Sequence, residues 1–292
     1  MLDGLAFSLH VGTLVCSVVT LTLNGSILLR RVAQKGRPQN DLSIQFICIF
    51  YYWLFALSGF FYSAYMVYAV KDPHPNPNYI FWFGSILYSV QHVIGFGNIF
   101  IAVDRLAAVQ SPARYRHFYS IAIIRSYMFF TPLVATATLV VLGLHQTFEP
   151  PGQTFGQNVN RLVLHIVQVF NTSFCLVNTM ITIGFLLSLA QFFKRQTAGG
   201  NNTLAKTRRK ANQIMIYQML LEFVLVVTPT LITLISQYGF QINLITMFGP
   251  YPSFMVLLYT ASCSVMYTIK LGSGQETSMA TTAKMSVVKP NT

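Results

Sequence analysis

The run LSIQFICIFYYWLFALSGFFYSAYMVYAV, from Leu42 to Val70, contains no charged side chain. A helix rises about 1.5 Å per residue, so roughly 20 apolar residues suffice to cross a hydrocarbon layer of about 30 Å. This run exceeds that length, and six others along the chain match it: Leu5–Leu29, Tyr79–Val103, Ser126–Leu144, Leu162–Phe193, Ala211–Ser236 and Ile242–Ile269. Glu222 is the one formal charge inside the seven. Lipid leaves every backbone polar group to be satisfied within its own segment, and no run shows the period-two alternation of a barrel strand, so helices are required. The expectation is an all-α membrane protein, a seven-transmembrane helix bundle over residues 1–270, followed by a short irregular tail over 271–292.

Composition agrees with that expectation. Hydrophobic residues make up 53% and charged residues 9%, and the mean hydropathy is +0.53, a balance no soluble surface carries. The net charge of +12 would suit nucleic acid, but the basic residues sit in short blocks between apolar runs, which a bilayer partner explains without it. Leu5–Leu29 lacks a basic flank before it and a small-residue cleavage site after it, so it is expected to remain as a span rather than be removed as a signal. Cys16, Cys48, Cys175 and Cys263 all lie inside apolar runs without C-x-x-C spacing, and are expected to be core residues rather than disulfides or metal ligands.

Orientation follows from Lys and Arg, which collect on the cytoplasmic side. Of the 19 basic residues, all but Lys71 and Arg161 follow helices one, three, five and seven. The amino terminus is therefore expected outside and the tail inside. The Pro-rich stretch 71–78 and the Gly/Pro-rich stretch 149–156 are expected as surface loops, with Thr197–Asn202. The sequon at Asn201 then falls on the cytoplasmic side and is expected to stay unmodified.

At the end of helix three stands Asp104-Arg105-Leu106-Ala-Ala-Val109-Gln-Ser-Pro112-Ala-Arg-Tyr115. It resembles the D-R-Y-x-x-V-x-x-P-x-x-Y stretch of rhodopsin-like receptors, with Leu106 in place of the first Tyr. The plain alternative, an Asp/Arg flank at a membrane edge, does not account for Pro112 or Tyr115. Asn24 resembles the helix-one Asn that bonds to neighbouring helices in those receptors, Pro229 their kinking helix-six Pro, and Tyr267 the Tyr that ends their N-P-x-x-Y. The chain also departs from them: helix two has no acid, no Cys stands where their linking disulfide would form, and no acid stands near Arg209. A D-R-L-x-x-V-x-x-P segment with eroded motifs elsewhere and a compact chain resembles the nematode serpentine chemoreceptors, class bc among them. That resemblance implies a receptor that binds a small-molecule ligand and activates a heterotrimeric G protein, located in the plasma membrane of sensory cilia. It further implies that Asp104 holds the Arg105 guanidinium at rest, and that Arg105, Val109, Pro112, Tyr115 and Tyr267 serve coupling.

Glu222, an ionisable group in the middle of helix six, is a candidate functional residue, or a carboxyl bonded to a neighbour such as Asn178 or Ser264. The ligand is expected between the outer halves of helices two, three, five, six and seven, with Tyr62, Tyr65, Leu87, Tyr88, Gln91, His92, Thr230 and Tyr251 as candidate linings. Each of these is equally compatible with packing or an interfacial aromatic belt. No charge stands in those outer halves, so the ligand is expected to be uncharged. His92 and His165 lack partners at metal or haem spacing, and no cofactor is expected. No paired acids or nucleophile–base couple point to an enzyme. The competing reading is a transporter of a small solute, prompted by Pro38-Gln39, but neither a second Pro-Gln nor a hydropathy repeat accompanies it.

Overall fold

The computed structural model describes residues 2–33, 43–69, 72, 75–111, 114–147, 154–198, 216–241 and 251–286. Seven helices long and apolar enough to span a membrane form a bundle: α1 (Leu2–Ala33), α2 (Ser43–Ala69), α3 (Pro77–Gln110), α4 (Ser120–Leu144), α5 (Arg161–Ala198), α6 (Ile216–Gly239) and α7 (Tyr251–Ser286). Among the described residues there is no β-strand, only an isolated bridge between Gln146 and Val159.

Local chemistry sets several ends. The Asn76 side chain accepts a 3.0 Å hydrogen bond from the Asn78 amide while Pro77 occupies the first turn, where its missing N–H costs nothing. α3 runs past Val103 to Gln110 because Leu106, Ala107 and Ala108 are good helix formers, and it closes at Ser111, just before Pro112. Asp104 and Arg105 are thus helical, not in the following loop. A π turn, Tyr115–Tyr119, leads into α4, which starts earlier than the Ser126 expected from hydropathy. Arg125 is accommodated near the end of that helix, as a long cationic side chain is at a membrane edge. Residues 148–153, 199–215 and 242–250 lie outside the described set, so the sequon at Asn201 and the expected start of helix seven do too. The last helix is continuous to Ser286, where the sequence suggested an irregular tail; Met279, Ala280, Ala283 and Met285 are residues that favour helix.

α3 is the central helix: 61% of its most apolar 18-residue stretch is buried, against 17% for that of α4. It packs on α2, α4 and α5, while α1 packs on α2 and α7. With lipid outside, close approach rather than hydrophobic exclusion holds such helices. Thr13, Ser17, Thr20 and Asn24 recur at helical spacing on α1, and all are buried. At Gly59 an added Cβ would lie 2.8 Å from Leu257 and 3.1 Å from Ser17, which puts α1, α2 and α7 in direct contact. At Gly97 it would lie 2.6 Å from the Tyr127 hydroxyl, the junction of α3 with α4. All four cysteines are free, and Cys48, Cys175 and Cys263 are buried.

Between α4 and α5, Thr154 forms a reciprocal capping box with Gln157 around a short 3-10 turn. This turn drives Phe155 into the bundle, 3% exposed, where it stacks on Tyr88 with ring centroids 4.8 Å apart. Gly84 of α3 is what admits it, since a Cβ there would collide with the Phe155 ring.

Candidate functional site

A cavity of about 50 Å³ lies between α3, α5, α6 and α7, with Tyr88, on which Phe155 stacks, in its wall. From α3 it is lined by Tyr88, Gln91 and His92, and from α6 by Pro229, Thr230 and Thr233. α5 contributes Leu164, Val167, Gln168 and Asn171, and α7 contributes Pro252, Met255 and Val256. Among the described residues, no Lys, Arg, Asp or Glu lines it. His92 is clamped, with Nδ1 2.7 Å from the Tyr88 carbonyl and Nε2 3.0 Å from the Val167 carbonyl, so it ties α3 to α5. Ser253 donates to Gln91 Oε1 at 3.1 Å and so ties α7 to α3.

Of the eight expected linings, Tyr88, Gln91, His92 and Thr230 face this cavity, and the other four do not. Tyr65 is turned to the chain before α3, its hydroxyl accepting from the Asn76 amide at 2.9 Å. Tyr62 packs its ring edge-on against His10 of α1, and Leu87, 1% exposed, belongs to the core. The Tyr251 hydroxyl hydrogen-bonds the Thr233 hydroxyl, which joins α7 to α6. A helix presents only about a third of its residues to any one neighbour, and hydropathy alone does not say which third. Helix five was expected at the site, but none of its residues was named; the polar pair Gln168 and Asn171, one turn apart in an apolar run, was the signal for them.

About one and a half turns along α3 from His92 lies a network of polar side chains. Glu222 Oε1 accepts from Asn98 Nδ2 at 2.7 Å and from Asn178 Nδ2 at 2.5 Å, which joins α6 to α3 and α5. Asn98 Nδ2 also reaches the Tyr259 hydroxyl of α7 at 3.3 Å, while its Oδ1 accepts from the Tyr52 hydroxyl of α2 at 3.3 Å. The two phenols stand 3.0 Å apart. Gln218, one turn before Glu222, donates to both phenols, at 3.4 and 3.3 Å, and accepts from Tyr267 at 2.7 Å. Five helices therefore share one chain of hydrogen bonds. Of the partners named for Glu222, Asn178 is present; Ser264 instead donates back to the Thr260 carbonyl of its own helix, a competition typical of hydroxyl side chains.

α6 deviates from regular geometry immediately after Glu222. A π turn spans Phe223–Val227, and the Thr228 hydroxyl donates to the Phe223 carbonyl five residues back at 2.8 Å. Pro229 has no N–H to give the carbonyl four residues before it, so the helix widens just upstream of it. A second π turn, Ile235–Gly239, ends the helix.

At the far end of α3, Asp104 is 1% exposed and Tyr115 donates to its Oδ1 at 2.9 Å. Arg105 Nε stands 3.7 Å from Asp104 Oδ2, and no hydrogen bond reaches its Nε or Nη2. Asp104 and Arg105 thus form a loose ion pair without a hydrogen bond between them. Successive residues project about 100° apart around a helix, so neighbours do not meet head-on. Tyr115 is the carboxylate's close partner, and its phenol is pushed up to about 12 by burial first and the Asp104 charge second, so it remains a donor at neutral pH. Val109 and Leu106 pack with Phe185, Leu189 and Met219, a second apolar cluster that closes α3, α5 and α6 together at this end. Pro112 lies outside the described residues. Asn24 is fully buried, but neither its Nδ2 nor its Oδ1 finds a partner. Among the described residues the interhelical bond expected of it is absent.

Cavity, polar network and Asp104–Arg105 thus follow one another along α3 at residues 88–92, 98 and 104–105, intervals of about 9 Å at 1.5 Å per residue. No curated protein matches the chain. The family model of the serpentine type seven-transmembrane GPCR chemoreceptor Srbc matches residues 2–268, nearly all of the bundle. With that match and seven membrane-length helices, the chain belongs to the Srbc family of serpentine chemoreceptors.

Proposed function

We propose that this chemoreceptor binds a small uncharged ligand in the cavity between α3, α5, α6 and α7 and passes its occupancy to a heterotrimeric G protein at the Asp104–Arg105 end. The observation that carries this reading is the hydrogen-bonded chain from Glu222 through Asn98, Tyr259 and Gln218 to Tyr267, which stands between the two ends and, with Tyr52 and Asn178 bonded to it, joins five helices. Displacement of α6 by a ligand against Pro229 or Thr230 has to rearrange that chain, because Glu222 lies two turns away on the same helix. Two packed arrangements of such a network differ by few enough kcal/mol for a ligand to choose between them.

The D-R end faces the cytoplasm in this reading, where the basic residues collect, and the amino terminus faces outward. The protein then resides in the plasma membrane, in sensory cilia by analogy with its family. The test is an epitope tag at each terminus combined with a second-messenger screen of small odorants and metabolites in cells that express a promiscuous G protein. The reading expects the amino-terminal tag to label intact cells, the carboxy-terminal tag to label only permeabilised ones, and at least one compound to evoke a signal. The reverse labelling would overturn it.

A further inference from the structure

We infer that the cavity selects a small neutral molecule that carries both a hydrogen-bond donor and an acceptor, held by the paired carboxamides of Gln168 and Asn171. This rests on the cavity being the ligand site. Most other polar side chains in its wall are already committed. His92 sits between two carbonyls, to one of which its single N–H donates, Thr230 donates to the Val226 carbonyl at 2.7 Å, and Thr233 donates to the Pro229 carbonyl at 2.7 Å. Ser253 donates to Gln91, whose Oε1 is thereby occupied. Gln168 and Asn171 are different: both line the cavity, and among the described residues neither side chain has a hydrogen-bond partner.

Three residues apart on α5, the two amides lie on one face with their Cβ atoms about 5–6 Å apart. Each offers an N–H donor and a carbonyl acceptor. Gly95 of α3 makes room for one of them, since a Cβ there would stand 3.2 Å from Asn171 Oδ1. An apolar occupant would shut both amides away from water without partners. A site built around hydrogen bonds discriminates strongly against an analogue that lacks them. Among the described residues of the wall an anion finds no Lys or Arg and a cation no carboxylate, so either would be buried unpaired there. The volume of about 50 Å³ is a third of the roughly 150 Å³ that holds a benzene ring, so the resting cavity takes only a few heavy atoms.

A series of equal shape isolates the chemistry: acetamide, acetone, isobutene and acetate each have four heavy atoms in the same planar fork. Binding to the purified full-length receptor in detergent micelles is measured by ligand-observed NMR, with no G protein present. The expected order is acetamide first, acetone about 10-fold weaker, isobutene about 100-fold weaker, and acetate below detection. Gln168→Leu and Asn171→Leu should each bring acetamide down toward acetone while leaving isobutene unchanged, and the wild-type ladder stands even if a variant fails to fold. Isobutene or acetate binding as well as acetamide, or no member binding at all, would overturn the assignment. Since the assay needs no coupling, the expected order in a receptor that never signals would leave the ligand class intact and remove only the G-protein reading.

Discussion

Replacing Asn98 by Leu removes the junction of the polar network while keeping the number and branching of the side-chain heavy atoms. The substitution deletes one short bond, Nδ2 to Glu222 at 2.7 Å, and two long ones, to Tyr259 and from Tyr52, both at 3.3 Å. Interhelical hydrogen bonds within membranes contribute about 0.6 kcal/mol on average and up to about 1.7 kcal/mol. Taking the short bond near the upper value and the long ones near or below the mean gives about 2–3 kcal/mol. Leu fills the space, so no cavity cost is added, and Glu222 keeps Asn178 at 2.5 Å. Thermal unfolding in detergent can be followed with a thiol-reactive fluorophore, because Cys48, Cys175 and Cys263 are buried and react only on opening. A loss of that size should lower the midpoint by roughly 5 °C or more. If the bonds hold the resting arrangement, the same energy shifts the resting-to-active ratio about 30-fold or more, visible as basal second messenger per surface receptor. Asn178→Leu, which deletes a single bond, should show about half the thermal effect. An unchanged midpoint for Asn98→Leu would refute the bonding scheme. A lowered midpoint with unaltered basal and evoked output would leave the network structural only.

Other perturbations separate packing from switching. Gly97→Ala places a methyl 2.6 Å from the Tyr127 hydroxyl, and that ring is held by Phe100 and Tyr51, so the variant should lose about 1–3 kcal/mol in the same unfolding assay. Tyr115→Phe removes the 2.9 Å bond to Asp104 and should raise basal signalling, equally across about pH 6 to 9 because the phenol keeps its proton throughout that range. The Tyr115 bond is present below the ordinary phenol value and lost only as the pH rises through about 12; a basal rise that appears only above pH 8 would contradict this. Glu222→Gln retains a carbonyl that can accept from Asn98 and Asn178, so surface level and output should stay near wild type. A tenfold change in basal output would show that the carboxylate charge itself takes part.

The seven spans were legible because length and hydropathy report the bilayer directly, and the family resemblance could be read from spaced residues on one helix. The pairing of side chains across helices was not. Asn98, Tyr52, Gln218 and Tyr259 stand in apolar runs as isolated polar residues, and nothing local says that they converge on Glu222. Half of the expected linings lie away from this cavity for the same reason: Tyr62, Tyr65, Leu87 and Tyr251 sit on the expected helices but on faces turned to α1, to the chain before α3, to the core and to Thr233. The Asp104–Arg105 geometry was knowable in principle, since adjacent helical residues diverge, but the role of Tyr115 as the carboxylate's partner depends on the π turn that brings it back to α3. That turn and those in α6 have no reliable sequence signature beyond Pro229.

The central claim is that Arg105 couples the bundle to a G protein without touching the ligand. Arg105 lies thirteen residues beyond His92 on α3, roughly 20 Å from the cavity at about 1.5 Å per residue. The decisive measurement is second-messenger output of Arg105→Ala beside wild type, in the same cells and normalised to surface receptor, with acetamide-class binding measured in parallel. Evoked output should be abolished while binding weakens by no more than the 5- to 150-fold typical of reciprocal coupling. Full evoked signalling by Arg105→Ala at normal surface level would contradict it.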